Sequence, residues 1–276
     1  MKEMDIYEER HRKIALPCVR IRTRVAGGSG TVLYSKENGD GEFSTYILTN
    51  HHVVAECIKI EKKWSSLLKA YRKEDVFEMV DAHFFEYRWE SRDIGGKSLQ
   101  CDIMCYDEDE DLALIKARAS QLAPAVAELY PRKEEKKLRI GMKIITVGAG
   151  LGEPPVQTEG VLSQFGREID RREYWLVTAP SIYGNSGGAT FLKETMQMIG
   201  VPARIAVTMS GFGGLDAITH LSYDIPITRI YDFLEDQKFR FIYNDSFTEE
   251  GEEEERKRLR DLEEQKMAVS PDKEGM

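Results

Sequence analysis

The chain has 276 residues, room for one large domain or two small ones, and its 41% hydrophobic content suits a sizeable core. Lys and Arg number 39 against 48 Asp and Glu, a net charge of −9 that is the wrong sign for a nucleic-acid footprint. No apolar run approaches the ~18 residues of a membrane span. The charged start, Met1-Lys2-Glu3-Met4-Asp5, lacks the apolar segment of a signal peptide. An intracellular protein with neither nucleic acid nor membrane as partner is expected.

Residues 1–16 carry mixed charge and read as an arm or short helix. Strand character begins at Pro17, where Val19, Ile21, Thr23 and Val25 alternate with Arg20, Arg22 and Arg24, the period of a half-exposed strand. Residues 26–30 read as a glycine-rich turn before a strand over 31–34. Asn38-Gly39-Asp40-Gly41 holds two hairpin dipeptides and leads into a strand over 43–49, with His51 and His52 at its end. Trp64, Leu67, Leu68 and Tyr71 then recur at helical spacing and predict an inserted helix over 62–73. Strands follow at 77–89 and 98–106, parted by a turn at Asp93-Ile94-Gly95-Gly96. The five consecutive acids from Asp107 to Asp111 predict a solvated turn, of which only Asp111 directly precedes an apolar strand, Leu112-Ala113-Leu114-Ile115.

A Pro-containing, Lys/Arg-rich connection over 120–139 links this half to a second one. Strands are expected there at 143–147, 156–165, 173–179, 196–201, 204–209 and 221–225. Residues 148–152 have G-x-G character, but Pro154-Pro155 follows instead of a helix, so no dinucleotide site is expected. An amphipathic helix is expected over 227–234. Residues 248–276 hold eleven acids and six bases, and 249–268 predict a charged, solvated helix or a disordered tail with too few apolar positions for a heptad seam. Cys101 and Cys105 share strand parity with Leu99 and Ile103 and read as buried thiols; no second Cys/His pair stands near enough for a zinc site. Neither Cys18 nor Cys57 suggests a disulfide framework, and no cofactor or metal is expected.

The chemistry concentrates at Gly184-Asn185-Ser186-Gly187-Gly188. A serine hydroxyl needs a base to take its proton and backbone N–H groups aimed where an oxyanion develops. Alone, the stretch is equally a polar loop. Upstream stand Thr49-Asn50-His51-His52-Val53-Val54 and Asp111-Leu112-Ala113-Leu114-Ile115. The order His, Asp, Ser is that of the chymotrypsin arrangement.

At these three places the sequence resembles the trypsin-like serine peptidases, and most closely the bacterial HtrA-like (Deg) branch, whose motifs read roughly T-N-x-H-V-V, D-[IL]-A-L and G-N-S-G-G. The resemblance runs from about Pro17 to Leu234, with Gly28-Ser29-Gly30-Thr31 and Tyr223-Asp224-Ile225-Pro226 flanking the motifs. It implies an all-β fold of two six-stranded antiparallel barrels of chymotrypsin type, about 17–120 and 140–235, within a peptidase domain over 17–235. An arm over 1–16 precedes this domain and a charged tail over 236–276 follows it. The peptide-binding (PDZ) domain common in that branch is not expected in so short a tail.

The resemblance also implies roles. Ser186 would attack a peptide carbonyl, His52 would move the proton, Asp111 would orient His52, and the N–H groups of Gly184 and Ser186 would form the oxyanion hole. His51 competes with His52 for the base role, and the family motif favours His52. Position implies a specificity pocket from Ser181, Thr208, Met209, Ser210 and Leu221. Pro180 stands where trypsin-type enzymes carry an aspartate, so cleavage after small or medium apolar residues is expected; His220 is a weaker candidate for a Glu/Gln-recognising wall. Asn185 stands where secreted relatives carry an aspartate that pairs with a newly cut N-terminus, so activity without proteolytic activation is expected. The competing readings are a virus-encoded processing peptidase with few sites and a non-catalytic scaffold of the same fold. Nothing in the sequence sets an oligomeric state.

Overall fold

The structure is a computed structural model and describes residues 5–38, 41–65, 70–90, 92–209 and 214–269. Its chain starts with helix α1 (Ile6–Arg10), capped by the Asp5 carboxylate, and continues through a π-type turn over His11–Ala15. This arm is docked rather than loose. Ile14 and Ala15 are buried, the His11 ring meets Tyr87 edge-on at 4.6 Å, and Arg10 pairs with Glu159 of the second half. Burial pushes the His11 pKa down, which favours the neutral ring.

The first half contains β1 (Cys18–Arg22), β2 (Gly27–Glu37), β3 (Phe43–Thr49), helix α2 (His51–Val54), β4 (Ile58–Ser65), β5 (Ala70–Phe77), β6 (Val80–Arg88), β7 (Arg92–Asp107) and β8 (Leu112–Ala117). Strands β1, β2, β3, β8, β7 and β6 close into a six-stranded antiparallel barrel. Val19, Ile21, Val32, Ile47, Ala113 and Ile115 fill it, which is why their alternation along the strands was legible. Residues 27–30 belong to β2 and pair with β1, so the expected glycine turn is a strand whose small residues admit a close neighbour.

The second half contains β9 (Lys143–Gly148), β10 (Val156–Ile169), β11 (Arg172–Val177), β12 (Ala189–Leu192), β13 (Met198–Met209) and β14 (Leu215–Pro226), closed in the order β10-β11-β14-β13-β12-β9. The two strands expected over 196–209 are one strand, β13, bent by irregular register near Pro202–Arg204. Helix α3 (Ile227–Asp236) buries Ile227, Ile230, Phe233 and Leu234, each contributing about 1.5–3 kcal/mol of transfer free energy, and helix α4 spans Glu249–Val269. One apolar cluster runs from the outer face of the first barrel (Tyr46, Leu48, Leu112, Leu114) into the second barrel and α3 and welds the halves together.

Three expectations need correction. Among the described residues of 62–73 there is no helix: β4 and β5 pair as a separate two-stranded sheet, with Trp64 directly opposite Tyr71, while Leu67 and Leu68 lie outside the described residues. The seven-residue spacing that mimics two helical turns is the distance across a hairpin, and Ile58, Ile60 and Trp64 alternate with period two. The turn between β6 and β7 falls at Trp89 and Glu90, not at Asp93–Gly96, which pair within the sheet. Cys101 and Cys105 part company: a bulge between Ile103 and Cys105 leaves Cys101 in the first-barrel core and turns Cys105 toward the inter-barrel cluster. All four cysteines are free, and burial pushes the Cys18 and Cys101 thiols up to about 12.

The start of α4 is anchored, not a solvated tail. Glu249, 8% exposed, accepts hydrogen bonds from Ser44, Tyr46 and Lys116 of the first barrel, while Glu252, 2% exposed, accepts from Arg240. Burial alone would raise the Glu249 pKa; the three donors and the Lys116 charge outweigh it and hold the carboxyl below its ordinary value.

Candidate active site

The strand β3 delivers Thr49 and Asn50 to the edge of the first barrel, and α2 turns His51 and His52 in different directions. His51 stacks on Tyr106, with ring centroids 5.1 Å apart and planes 17° from parallel. His52 faces Asp111: its Nδ1 lies 3.0 and 2.9 Å from the two carboxylate oxygens, and its backbone N–H donates to Asp111 Oδ1 at 3.0 Å. A carboxylate can only accept, so the neutral ring carries its proton on Nδ1 and leaves Nε2 as an acceptor. The His52 side chain is 47% exposed and that of Asp111 14%, so the pair opens to solvent on the histidine side.

Asp111 adopts φ of 54°, a left-handed conformation that Asp tolerates better than most residues. Its carbonyl accepts from Asn50 Nδ2 at 2.8 Å. The acidic turn before it is not simply solvated. Asp107 caps the Glu110 N–H at 2.8 Å, and Glu110 forms ion pairs with Arg172 and Arg229 of the second half. Arg229 also reaches the Glu110 and Glu173 carbonyls, so two guanidinium groups fix the Asp111 turn to the second barrel.

Ser186 lies in the loop between β11 and β12, and the first barrel shapes that loop. The Ser29 N–H donates to the Ser186 carbonyl at 2.8 Å; its hydroxyl donates to the Gly184 carbonyl at 2.6 Å and accepts from the Ala149 N–H at 2.7 Å. A Cβ at Gly28 would meet Val53 at 2.7 Å and the Ser186 carbonyl at 3.0 Å, so the helix carrying His52 and the loop carrying Ser186 close on one glycine. Gly187 has φ of 83°, and a Cβ there would strike the Ser29 carbonyl at 2.2 Å, so this position requires glycine twice over. Ser29 had no assigned role in the sequence reading, because its partners lie 120 and 155 residues away.

The N–H groups of the loop divide into two sets. Those of Asn185, Gly187 and Gly188 donate to the Ile182, Pro202 and Asn185 carbonyls, whereas those of Gly184 and Ser186 have no acceptor among the described residues. Two unpaired donors on either side of Asn185 are available to an oxygen bearing negative charge. The Ser186 hydroxyl lies 3.5 Å from the Ala203 carbonyl, and among the described residues no hydrogen bond joins it to His52.

Ala203, missed in the sequence, thus brings β13 against the serine, beside Pro202, whose carbonyl accepts from the Gly187 N–H. Thr208 and Met209 lie five and six residues farther along that strand, paired with Asp216 and Leu215, and Met209 is exposed. Ser210 lies outside the described residues. Ser181 is buried and its N–H donates to the Thr219 carbonyl at 2.6 Å; Leu221 is half-buried and His220 exposed on β14. Among the described residues no cluster of His, Cys, Asp and Glu has metal-site geometry, and no helix is long and apolar enough to cross a membrane.

Residues 28–201, well over half of the chain, match the family model of the trypsin-like peptidase domain. Over 219 residues the chain is 26% identical to a serine protease Do-like HtrA of Lactococcus lactis subsp. cremoris, covering 75% of this chain and 44% of that protein. A probable periplasmic serine endoprotease DegP-like of Pseudomonas fulva is 26% identical over 221 residues, 78% of this chain and 38% of its own length. The chain therefore spans less than half the length of these curated relatives. Among solved structures, the HtrA-type protease AlgW with tripeptide superposes with a TM-score of 0.59 at 18% identity, covering 85% of this chain and 64% of that one, a likeness of fold.

Proposed function

The chain belongs to the trypsin-like peptidase domain family, and from that premise we propose that it is a serine endopeptidase worked by His52, Asp111 and Ser186. The observation that carries the proposal is the pairing of His52 Nδ1 with both Asp111 oxygens beside a serine loop whose Gly184 and Ser186 N–H groups are unpaired. His52 Nε2 takes the Ser186 proton as the hydroxyl attacks a peptide carbonyl, and returns it to the leaving amine. Asp111 holds the tautomer and stabilises the imidazolium. The Gly184 and Ser186 N–H groups receive the oxyanion, where losing one such donor typically costs about 3 kcal/mol of transition-state stabilisation. Water then releases the acyl group by the same route.

Specificity for small or medium apolar residues is supported by Pro180, a neutral residue six positions before Ser186 where trypsin-type enzymes carry an aspartate. Profiling cleavage of a proteome-derived peptide library tests this; dominant cleavage after Lys or Arg refutes it.

A non-catalytic binding protein is favoured by one observation, the Ser186 hydroxyl resting by Ala203 instead of on His52. Catalytic hydrogen bonds of empty sites are often long and tighten only with substrate, and a rotation about the serine Cα–Cβ bond redirects this one. Labelling the full chain with a fluorophosphonate and mapping the adduct by mass spectrometry decides between them. Modification at Ser186 is the expected outcome, and an unlabelled Ser186 favours the binding protein.

A further inference from the structure

The hairpin β4–β5 is inserted between α2 and β6 and joins neither barrel. A lone two-stranded hairpin is marginal in water and is stabilised by covering one face. Its register places Ile58, Ile60, Lys62 and Trp64 opposite Phe77, Asp75, Lys73 and Tyr71, and the pleat sends these eight side chains to one face. The other face carries Lys59, Glu61, Lys63 and Glu74, with Lys63 and Glu74 paired at 3.5 Å. The first face is apolar yet open: Ile60 is 65% exposed, Trp64 57%, Tyr71 70% and Phe77 40%. Trp64 and Tyr71 meet edge-on at 5.3 Å, an aromatic pair presented to solvent.

Two further observations say what this face is for. Its base is fastened to the candidate site: the Tyr106 hydroxyl donates to Asp75 at 2.8 Å, the Tyr106 ring meets Phe77 edge-on, and its face stacks on His51, the neighbour of His52. The strip is therefore linked through Tyr106 to His51, the residue beside His52. Midway along it Lys62 and Lys73 stand directly opposite each other, and neither has an ion pair among the described residues. Like charges in that position repel, and a carboxylate laid across them relieves the repulsion. Both outer strand edges are also open, since β4 and β5 pair only with each other among the described residues.

We propose that this face holds an extended stretch of the substrate polypeptide flanking the scissile bond, one that carries apolar or aromatic side chains and an acidic residue. Given the endopeptidase reading on which it rests, this adds a second point of attachment for the substrate, one that a peptide too short to extend from Ser186 to Trp64 misses.

The test separates binding from turnover. In the Ser186→Ala protein, affinity for fluorescein-labelled, reduced and alkylated α-lactalbumin, an acidic unfolded chain, is read by anisotropy. Adding Trp64→Ser with Tyr71→Ser is expected to weaken binding at least tenfold, while Trp64→Phe with Tyr71→Phe retains it. Lys62→Gln with Lys73→Gln is expected to weaken binding and flatten its salt dependence. With Ser186 intact, the serine pair is expected to lower kcat/KM on the long chain through KM and to leave a tetrapeptide amide unaffected. Unchanged affinity in the serine pair overturns the proposal, and so does a fall in sedimentation mass, which would make the face a contact between copies. If binding follows this pattern but no variant cleaves and Ser186 resists fluorophosphonate, the endopeptidase reading fails while the docking face stands.

Discussion

Asp224 is a buried carboxyl without an ion pair among the described residues, and it gives the sharpest stability prediction. It lies on β14, 1% exposed, accepting hydrogen bonds from the hydroxyls of Thr190 and Ser222. Burial raises its pKa from an ordinary 3.8 to about 6, and the two hydroxyls offset only part of the effect. Between those two values the folded protein keeps a proton that the unfolded chain releases. Stability therefore falls as pH rises from about 4 to about 6, and the full deficit persists above. The gap of roughly two pH units corresponds to at most about 3 kcal/mol, at about 1.4 kcal/mol for each. Asp224→Asn retains an acceptor for Thr190 and removes the ionisation. At pH 7.5 it is expected to raise Tm by about 6–12 °C, at roughly 2–4 °C per kcal/mol for a chain of this size, and to match the wild type near pH 4. Thermal unfolding by circular dichroism from pH 4 to 8 reads both quantities. Parallel pH profiles, or an asparagine variant less stable at pH 7.5, would refute the reasoning and mean that the carboxylate is solvated or paired in solution.

Two further outcomes are expected. Ser186→Ala and His52→Ala should each abolish hydrolysis of an unfolded protein with little change in Tm, whereas His51→Ala, which loses only a stack on Tyr106, should remain active; the reverse result for the two histidines would move the base to His51. Glu249→Ala leaves Lys116 and the Ser44 and Tyr46 hydroxyls without their shared acceptor and should cost about 3 kcal/mol in denaturant unfolding. Because the Glu249 pKa is depressed, its contribution is present above the ordinary glutamate range and lost as pH falls below it, so increased hydrogen exchange at the start of α4 should appear in acid and not at pH 8.

The barrel strands were legible where alternate residues fill a barrel: Val19 and Ile21, or Ala113 and Ile115, keep a period of two that burial enforces. Local motifs singled out His52, Asp111 and Ser186 as candidates, and the fold brings the first two into contact. What stayed hidden depends on partners distant in sequence. Ser29 shapes the serine loop through bonds to Gly184 and Ala149, and no local pattern announces that. Glu249 looked like one more acid in a charged run until Ser44, Tyr46 and Lys116, which approach from β3 and β8, made it a buried acceptor. The helix expected at 62–73 failed for a different reason: two aromatic residues seven apart satisfy a helical face and a hairpin rung equally well, and the alternation of Ile58, Ile60 and Trp64 was the deciding signal.

Ser29 has a consequence for when the site comes into existence. The residue is in the first half-barrel, yet it clamps the loop around Ser186 in the second, and Arg229 in turn reaches back from the second half to hold the turn before Asp111. Each half thus carries a part of the other's scaffolding, and neither contains a complete arrangement by itself. The contacts span 157 residues of sequence, from 29 to 186, so they exist only when both halves are folded and docked. A nascent chain emerging from the ribosome, or one caught half-refolded, holds Ser186 without the bonds that shape its loop. On the endopeptidase reading proposed above, such a chain is in no position to digest its neighbours or itself.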